Sequence, residues 1–379
     1  MKRMNILMRS RVLLLALCLG VACAALLNAG AQSERGSSGA EAARKTIKLR
    51  LVAGHPYAAA AWVQTLQDFY VPEIQKRVLE RTKEYQLDCK GFYGGSLAKL
   101  GEELEAVESG TADIGIVNNI FEQAKLEIHN FNWWAPFTSP DLKQVIEANA
   151  KIMDQYPIFD QIFAKYNQKH LGRAFNCSPS FELITNFPVK TLEDLKGRKI
   201  AHGGSMIPWL QALGAVGVQS AFSDAYTSID TGVYQGWAMP ADVAYSFKVH
   251  EVAKYFTKVG FGSFVTGYVT INLNTWNSLP KEVQEILEEV AKEFSMELYK
   301  RNMANHDKAM EAFKAAGCTI YELPAEERSR WGKVLTEAGV AKAAARKADA
   351  NGYPGTEILK AYVKVLEDTG YKFPFPPGL

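Results

Sequence analysis

Catalysis needs particular side chains held close together, and the six histidines are the first place to look: His55, His129, His170, His202, His250 and His306. No two of them stand in HxxxH or HExxH, and no cysteine pair has the spacing of a zinc site, so no metal centre is expected. His202 directly precedes Gly203-Gly204-Ser205. A nucleophilic serine needs a base beside it, and a histidine at the adjoining strand end points elsewhere. The triplet therefore reads as a turn that opens a helix, where backbone N–H groups can face a ligand. Residues 91–95, GFYGG, lack the Lys-Ser/Thr pair of a phosphate loop, and no GxGxxG is present. Glu102 and Glu103 read as first-turn acids favoured by a helix dipole. No catalytic residue and no cofactor are expected.

The aromatic residues offer binding rather than bond-making. Trp237 stands at a strand end, where a ligand would lie. The pair Trp133-Trp134 reads as domain core or covered surface, with a pocket wall as the alternative, and Trp276 reads as a packing anchor. Beyond the two cysteines in the first 31 residues, Cys89, Cys177 and Cys318 have strand-like flanks and read as buried thiols, with one bridged pair as the alternative.

The elements that position these side chains follow from periodicity and punctuation. Residues 46–53 alternate as a strand, residues 57–80 carry helical spacing, and residues 86–93 form a second strand. A helix over 98–109, capped by Gly110, leads to a third strand over 113–117. This is a β-α-β-α-β half with loops at 54–57, 94–97 and 118–121. Residues 141–166 read as helix and 170–177 as a strand that crosses into a second domain. There, residues 181–185, 198–201, 219–222 and 233–239 read as strands, with a helix carrying Trp209 and another capped by Ser223 between them. Residues 255–258 and 265–273 return to the first domain. The longest helical pattern runs from Pro280 to about residue 316, beyond ordinary globular length. Helices over 325–347 and 356–368 complete the chain. In such an alternating pattern the loops at the carboxyl ends of parallel strands form the ligand crevice, here residues 201–205, 222–223 and 237–240.

A length of 379 residues accommodates two domains, and 47% apolar content supplies their cores. The formal charge is +2, but Lys2, Arg3, Arg9 and Arg11 sit in an acid-free N-terminus, which leaves the remainder at about −2. A near-neutral chain is no nucleic-acid binder by electrostatics. Residues 1–31 read as a secretory signal peptide: a basic start, an apolar run over 12–27, and Ala29-Gly30-Ala31 before Gln32. Residues 32–45 read as a flexible leader, and no later segment is apolar and long enough to span a bilayer. Export to the periplasm follows.

Four stretches, in order along the chain, carry a resemblance: FYGGSLAKLGEELEAVESGTADIGI (92–116), TLEDLKGRKIA (191–201), FSDAYTSIDTGVYQGWAMP (222–240) and NLNTWNSLPKEVQEIL (272–287). Each is weak alone, and the ordered set is specific. The chain resembles the periplasmic solute-binding subunits of TRAP transporters, the DctP type. The resemblance implies an α/β, two-domain periplasmic-binding-protein fold (type II-like) with crossing strands and one long helix spanning both domains. It places domain I at 46–176 and 265–306, and domain II at 177–264 and 307–379. It also implies capture of a small organic solute by hinge closure and delivery to TRAP membrane permease subunits. An exported enzyme or a sensor module on the same fold are the alternatives.

The resemblance also names positions. The loop after the first strand puts His55 and Tyr57 at the ligand, and the third strand's end puts Asn118 there. Tyr93 and Phe222 are expected as ligand contacts or as ordinary core aromatics, and Trp209 joins the expected set. Relatives usually clamp a carboxylate with an arginine in a KIR pattern; here the triplet is Lys199-Ile200-Ala201. A second arginine position holds Glu182, and the third strand end holds Trp237, Ala238 and Met239. Burying a carboxylate without a cationic partner is costly. The expected ligand is therefore neutral, apolar or aromatic, or cationic, with Glu182 and Trp237 supplying charge and an aromatic face. An organic acid held by Arg173 on the crossing strand is the alternative.

Overall fold

The computed structural model describes residues 44–375; the expected signal peptide and nearly all of the expected leader lie outside them. Eleven strands, taken in chain order as β1 to β11, build two sheets. In the first, β1 (Lys45–Ala53), β2 (Tyr85–Tyr93) and β3 (Ile114–Val117) are parallel, joined to β10 (Phe264–Asn272) and β4 (Gln168–Ser178) in the order β2-β1-β3-β10-β4. Strand β3 is buried at all four positions, as a central parallel strand must be. The second sheet has the order β11-β9-β5-β8-β6-β7. It contains β5 (Glu182–Thr185), β6 (Lys199–His202), β7 (Val216–Gln219), β8 (Gly236–Met239), β9 (Tyr255–Lys258) and β11 (Thr319–Glu322). Strand β6 runs parallel to both β7 and β8, so their carboxyl ends lie together.

The chain passes between the lobes on two neighbouring strands. Strand β4 leaves the first lobe and β10 returns to it, paired antiparallel over most of their length. The third link is the helix Lys281–Ala315, 35 residues long, or about 52 Å at 1.5 Å per residue. Its buried positions Val283, Ile286, Leu287, Val290, Ala291 and Phe294 recur at three- and four-residue spacing and form one apolar stripe. Gly172, at φ +50°, lets β4 ride on this stripe: a Cβ there would stand 2.6 Å from the Glu288 carbonyl oxygen. Polar pins hold the contact. The Phe175 N–H donates to Ser295 Oγ at 2.8 Å, and Asn302 Nδ2 donates to the Cys177 carbonyl at 2.8 Å.

Several element boundaries differ from the sequence expectation, each for a local reason. The first helical run begins at Ala61 rather than 57, because residues 56–59 form a turn, and it contains a π segment, Leu66–Tyr70. Helix Glu103–Glu108 is shorter than expected because Gly101, at φ +81°, breaks the chain before it. Pro157 divides the expected 141–166 helix into Leu142–Gln155 and Ile158–Lys165. Phe222 and Ser223 fall in a 3₁₀ turn, so Phe222 is not in a strand and Ser223 caps no helix. Gly339, at φ +63°, splits the 325–347 helix into Ala325–Glu337 and Val340–Ala350. The final helix, Gly355–Asp368, packs on the first lobe, whereas the sequence boundaries group it with the second. Its Tyr362 ring lies 5.3 Å from Phe131, and its Glu357 accepts from the Tyr156 hydroxyl at 3.0 Å. Cys89, Cys177 and Cys318 are free thiols.

Candidate functional site

The loops at the carboxyl ends of β1, β3, β6 and β8 converge between the lobes, and what they bring together is aromatic. His55 follows β1. Its ring lies 4.9 Å from Trp62 edge-on, 5.9 Å from Phe222, 6.2 Å from Phe121 and 6.4 Å from Phe247. Phe222 in turn lies 4.8 Å from Trp237 and 5.9 Å from Phe247. His55 and Trp62 belong to the first lobe, and Phe222, Trp237 and Phe247 to the second, so these rings form much of the seam. Trp237 is buried on β8 opposite Ala201 on β6, where the KIR pattern would place an arginine. Two residues on, Met239 is buried in the same cluster. The cation–aromatic pairs among the described residues all involve other rings.

Polar atoms in this seam lack partners. His55 is 2% exposed and neither ring nitrogen makes a hydrogen bond, nor does Trp62 Nε1. Burial pushes the His55 pKa down to about 3, so the imidazole is neutral, with one donor and one acceptor. His202 Nδ1 accepts from the Gly204 and Met206 amides at 3.1 and 3.3 Å. Its proton must then sit on Nε2, and that N–H has no partner. Asp242 opens the helix after β8; burial pushes its carboxyl up to about 7, and Oδ1 is unpartnered. An unsatisfied buried polar atom costs about 1–3 kcal/mol. Such atoms accumulate where a bound solute can supply the missing bond.

Beneath the seam lies a hydrogen-bonded network. Glu103 accepts from the Gly54 amide at 3.0 Å, the Gly101 amide at 2.7 Å and Asn118 Nδ2 at 3.4 Å. Asn118 Oδ1 accepts from Asn176 Nδ2 at 2.9 Å. Glu103 thus staples the loop after β1, which carries His55, to the end of β3. Burial, opposed by these hydrogen bonds, pushes its pKa up to about 7. Glu103 stands in the first turn of its helix, as the sequence indicates, and is in addition a buried positioning acid.

Of the ten expected binding residues, His55, Phe222, Trp237, Ala201 and Met239 come together, and Asn118 lies in the network beneath. The other four do not join them. Tyr57 is 42% exposed and donates its hydroxyl to Asp68 at 2.9 Å, on the outside of the loop. Tyr93 donates to Gln67 Oε1 at 2.9 Å, drawn aside by the π segment. Glu182 is spent within its own lobe, accepting from the Val259 and Gly260 amides and from the Ser180 hydroxyl at 2.8 Å. It therefore offers no free charge to a ligand. Trp209 packs in a core cluster to which both lobes contribute, 5.8 Å from Phe264 and 6.4 Å from Trp133. Arg173 forks Asp160 at 2.7 and 2.8 Å and reaches Asp154 at 2.8 Å on the far side of β4, so it is no carboxylate clamp.

Sequence reasoning missed Trp62 and Phe247, and reached Phe121 and His202 only as members of the 118–121 and 201–205 loops. Trp62 reads as one apolar position in an amphipathic helix, and nothing local separates it from core. Phe121 lies in a loop that had been placed at the crevice, so proximity alone could have found it.

Residues 64–345 match the family model for bacterial extracellular solute-binding protein, family 7 (DctP). The C4-dicarboxylate-binding periplasmic protein DctP of Rhodobacter capsulatus is 30% identical over 268 residues, covering 69% of this chain and 78% of that protein. An ectoine/5-hydroxyectoine-binding periplasmic protein, UehA of Ruegeria pomeroyi, is 23% identical, covering 62% and 68%. Among solved structures, a TRAP solute-binding protein from Rhodoferax ferrireducens T118, in complex with copurified benzoate, superposes with a TM-score of 0.73. It is 18% identical, covering 86% of this chain and 98% of that one.

Proposed function

The chain belongs to the DctP family of bacterial extracellular solute-binding proteins, and on that footing we propose that its solute is a small apolar or aromatic molecule rather than a clamped carboxylate. Proteins of this kind bind small organic solutes and deliver them to membrane permease subunits. The observation that carries the finer reading is the seam itself: six rings meet around His55 and Trp237 with no cation among them. A flat solute entering there would exchange ring–ring contacts for its own, each worth about 0.5–1.5 kcal/mol beyond area. His55 and the Trp62 and His202 N–H groups would orient it. Dicarboxylate, ectoine and benzoate are associated with relatives. A carboxylate transferred to this seam would lose its hydration without a guanidinium to replace it.

Capture would proceed by closure of two lobes, each contributing rings to the solute, so that the closed state gains in proportion to the contacts made only there. We take the moving units as 46–176 with 265–306, and 177–264 with 307–354, the last helix riding on the first. Residues 1–31 would direct export to the periplasm, and no chemical step is assigned to the seam. A cationic solute is a second reading, favoured by the buried Asp242 carboxyl, whose Oδ1 has no partner.

Thermal-shift titration separates these readings. Benzyl alcohol and other neutral aromatics should raise Tm by several degrees, and succinate and benzoate should not. A response to benzylamine exceeding that to benzyl alcohol would favour the cationic reading. A large shift with succinate or benzoate alone would overturn both.

A further inference from the structure

A cavity lies behind the seam, where three elements meet: the segment after β3, the Gly204-Ser205 turn after β6, and the helix Val340–Ala350. Its volume is about 330 Å³, within the range that holds small ligands. Trp133 and Trp134 form its inner wall, and Pro208, Val340 and Ala344 face them. None of the six seam rings lines it. Trp133 and His202, whose rings lie 5.1 Å apart, stand between the cavity and the seam, with His202 then 5.6 Å from Trp237.

The cavity exists because the lobes meet. Ser205 Oγ of the second lobe donates to Asn130 Oδ1 at 2.9 Å and accepts from Gln123 Nε2 at 3.3 Å, both of the first. Gly204 permits this approach: at φ +139°, its Cβ, if it had one, would stand 2.1 Å from Gln123 Nε2. With Gln123 Nε2 and Asn130 engaged in these contacts, the polar atoms left to a ligand are Gln123 Oε1 and the Trp134 indole N–H, neither of which makes a hydrogen bond among the described residues. The charges at the mouth neutralise each other, Lys347 Nζ lying 3.3 Å from Glu127 Oε1, and Glu127 Oε2 accepting from Asn351. An apolar wall of two indoles, one acceptor, one donor and no uncompensated charge define the occupant.

We infer that this cavity is a second binding site, for a small uncharged planar molecule with a single hydrogen-bonding group, of the phenol or indole class. Because its walls come from both lobes, an occupant stabilises the same arrangement that solute capture does, and the two bind with positive coupling. That coupling rests on the lobe closure proposed above; the site itself does not.

The test uses 5-fluoroindole, followed by ¹⁹F NMR on the full mature chain. Wild-type protein should broaden and shift the resonance saturably. Phe222→Ala, which alters only the seam, should retain saturable binding. In that background Ala344→Phe and Val340→Trp, which fill the cavity from the helix side, should each weaken the remaining effect by tenfold or more. Circular dichroism and Tm of the two filling variants report folding, and either folded variant suffices. Unchanged binding in a folded filling variant, or loss of all binding with Phe222→Ala, would overturn the second site. The latter outcome would leave the aromatic seam as the sole site and the proposed solute class intact.

Discussion

Two regions of the first lobe treat buried polar groups in opposite ways. At the bulge of β4, Arg173 adopts a left-handed backbone conformation, φ +54°, and every arm of its guanidinium finds an acceptor on Asp154, Asp160 or the Met153 carbonyl. At the end of β1, His55 is more deeply buried and finds nothing. The first region satisfies its guanidinium from within the chain. The second carries a standing cost that only an incoming molecule or a change of lobe angle can relieve. Charge drew attention to Arg173 in the sequence; unsatisfied polarity is what distinguishes His55 in the structure.

The largest perturbation of this contrast is Ala201→Arg. A guanidinium opposite Trp237 would be buried without a partner, and breaking charge balance in this way costs about 3–5 kcal/mol. Urea unfolding should show that loss, and succinate should restore part of it by acting as counter-ion. A variant as stable as the parent would mean that Ala201 does not face the rings. Trp237→Ala follows, at about 3–5 kcal/mol for a large buried aromatic. Solute affinity should fall with it, whereas Trp209→Ala should cost similar stability and leave affinity unchanged.

The titrating groups offer a subtler test. His55, His129, His170 and His202 are each pushed down to about 3 by burial. Their neutral forms are favoured in the fold, so their contribution is present above about pH 6.5 and lost as pH falls towards 3. Glu103, Glu122, Glu182 and Asp242 are pushed up to about 7, again by burial. Their contribution is present below about pH 4.5 and lost as pH rises through 7. Between pH 4.5 and 6.5 the two sets oppose each other, and the parent's stability should be nearly flat. Glu103→Gln should make it rise with pH across that window, and His55→Phe should make it fall. Urea midpoints at four or five pH values suffice; parallel curves for all three proteins would refute the assignment. The smallest effect is expected from Arg173→Gln. Its ion pairs are partly exposed, so stability should drop by about 1–2 kcal/mol at most, and solute affinity should not change.

Much of the fold was legible because it rests on periodicity. The alternation of β1, the buried run of β3 and the apolar stripe of the long helix are each local patterns, and the crevice follows from parallel strand ends. What was not legible depends on contacts distant in sequence. Glu103 looks like any first-turn acid until the Gly54 and Gly101 amides are seen to converge on it. Glu182 looks available until the loop after β9 folds back and donates two amides to it. For Tyr93, expected as ligand contact or core aromatic, the partner was not legible, because the π segment, which no periodicity announces, turns Gln67 towards it. The absence of the arginine at Ala201 was visible from the sequence alone; the rings that gather around that absence come from five separate segments.

The long helix has a mechanical consequence. Its first half is fastened to β4 by Gly172 and Ser295, and its second half lies against the other lobe, with Phe313 5.2 Å from Phe256 of β9. Asn302, bonded to the Cys177 carbonyl, pins it near the changeover. A rod fixed at its middle converts small angles into measurable travel: on a half-length of about 26 Å, set by 1.5 Å per residue, a bend of about 5° displaces the tip by roughly 2 Å. A spin label at the far end of this helix, paired with one on the first sheet to the side of the bend, would therefore read the lobe angle without touching the solute, the seam or the cavity behind it.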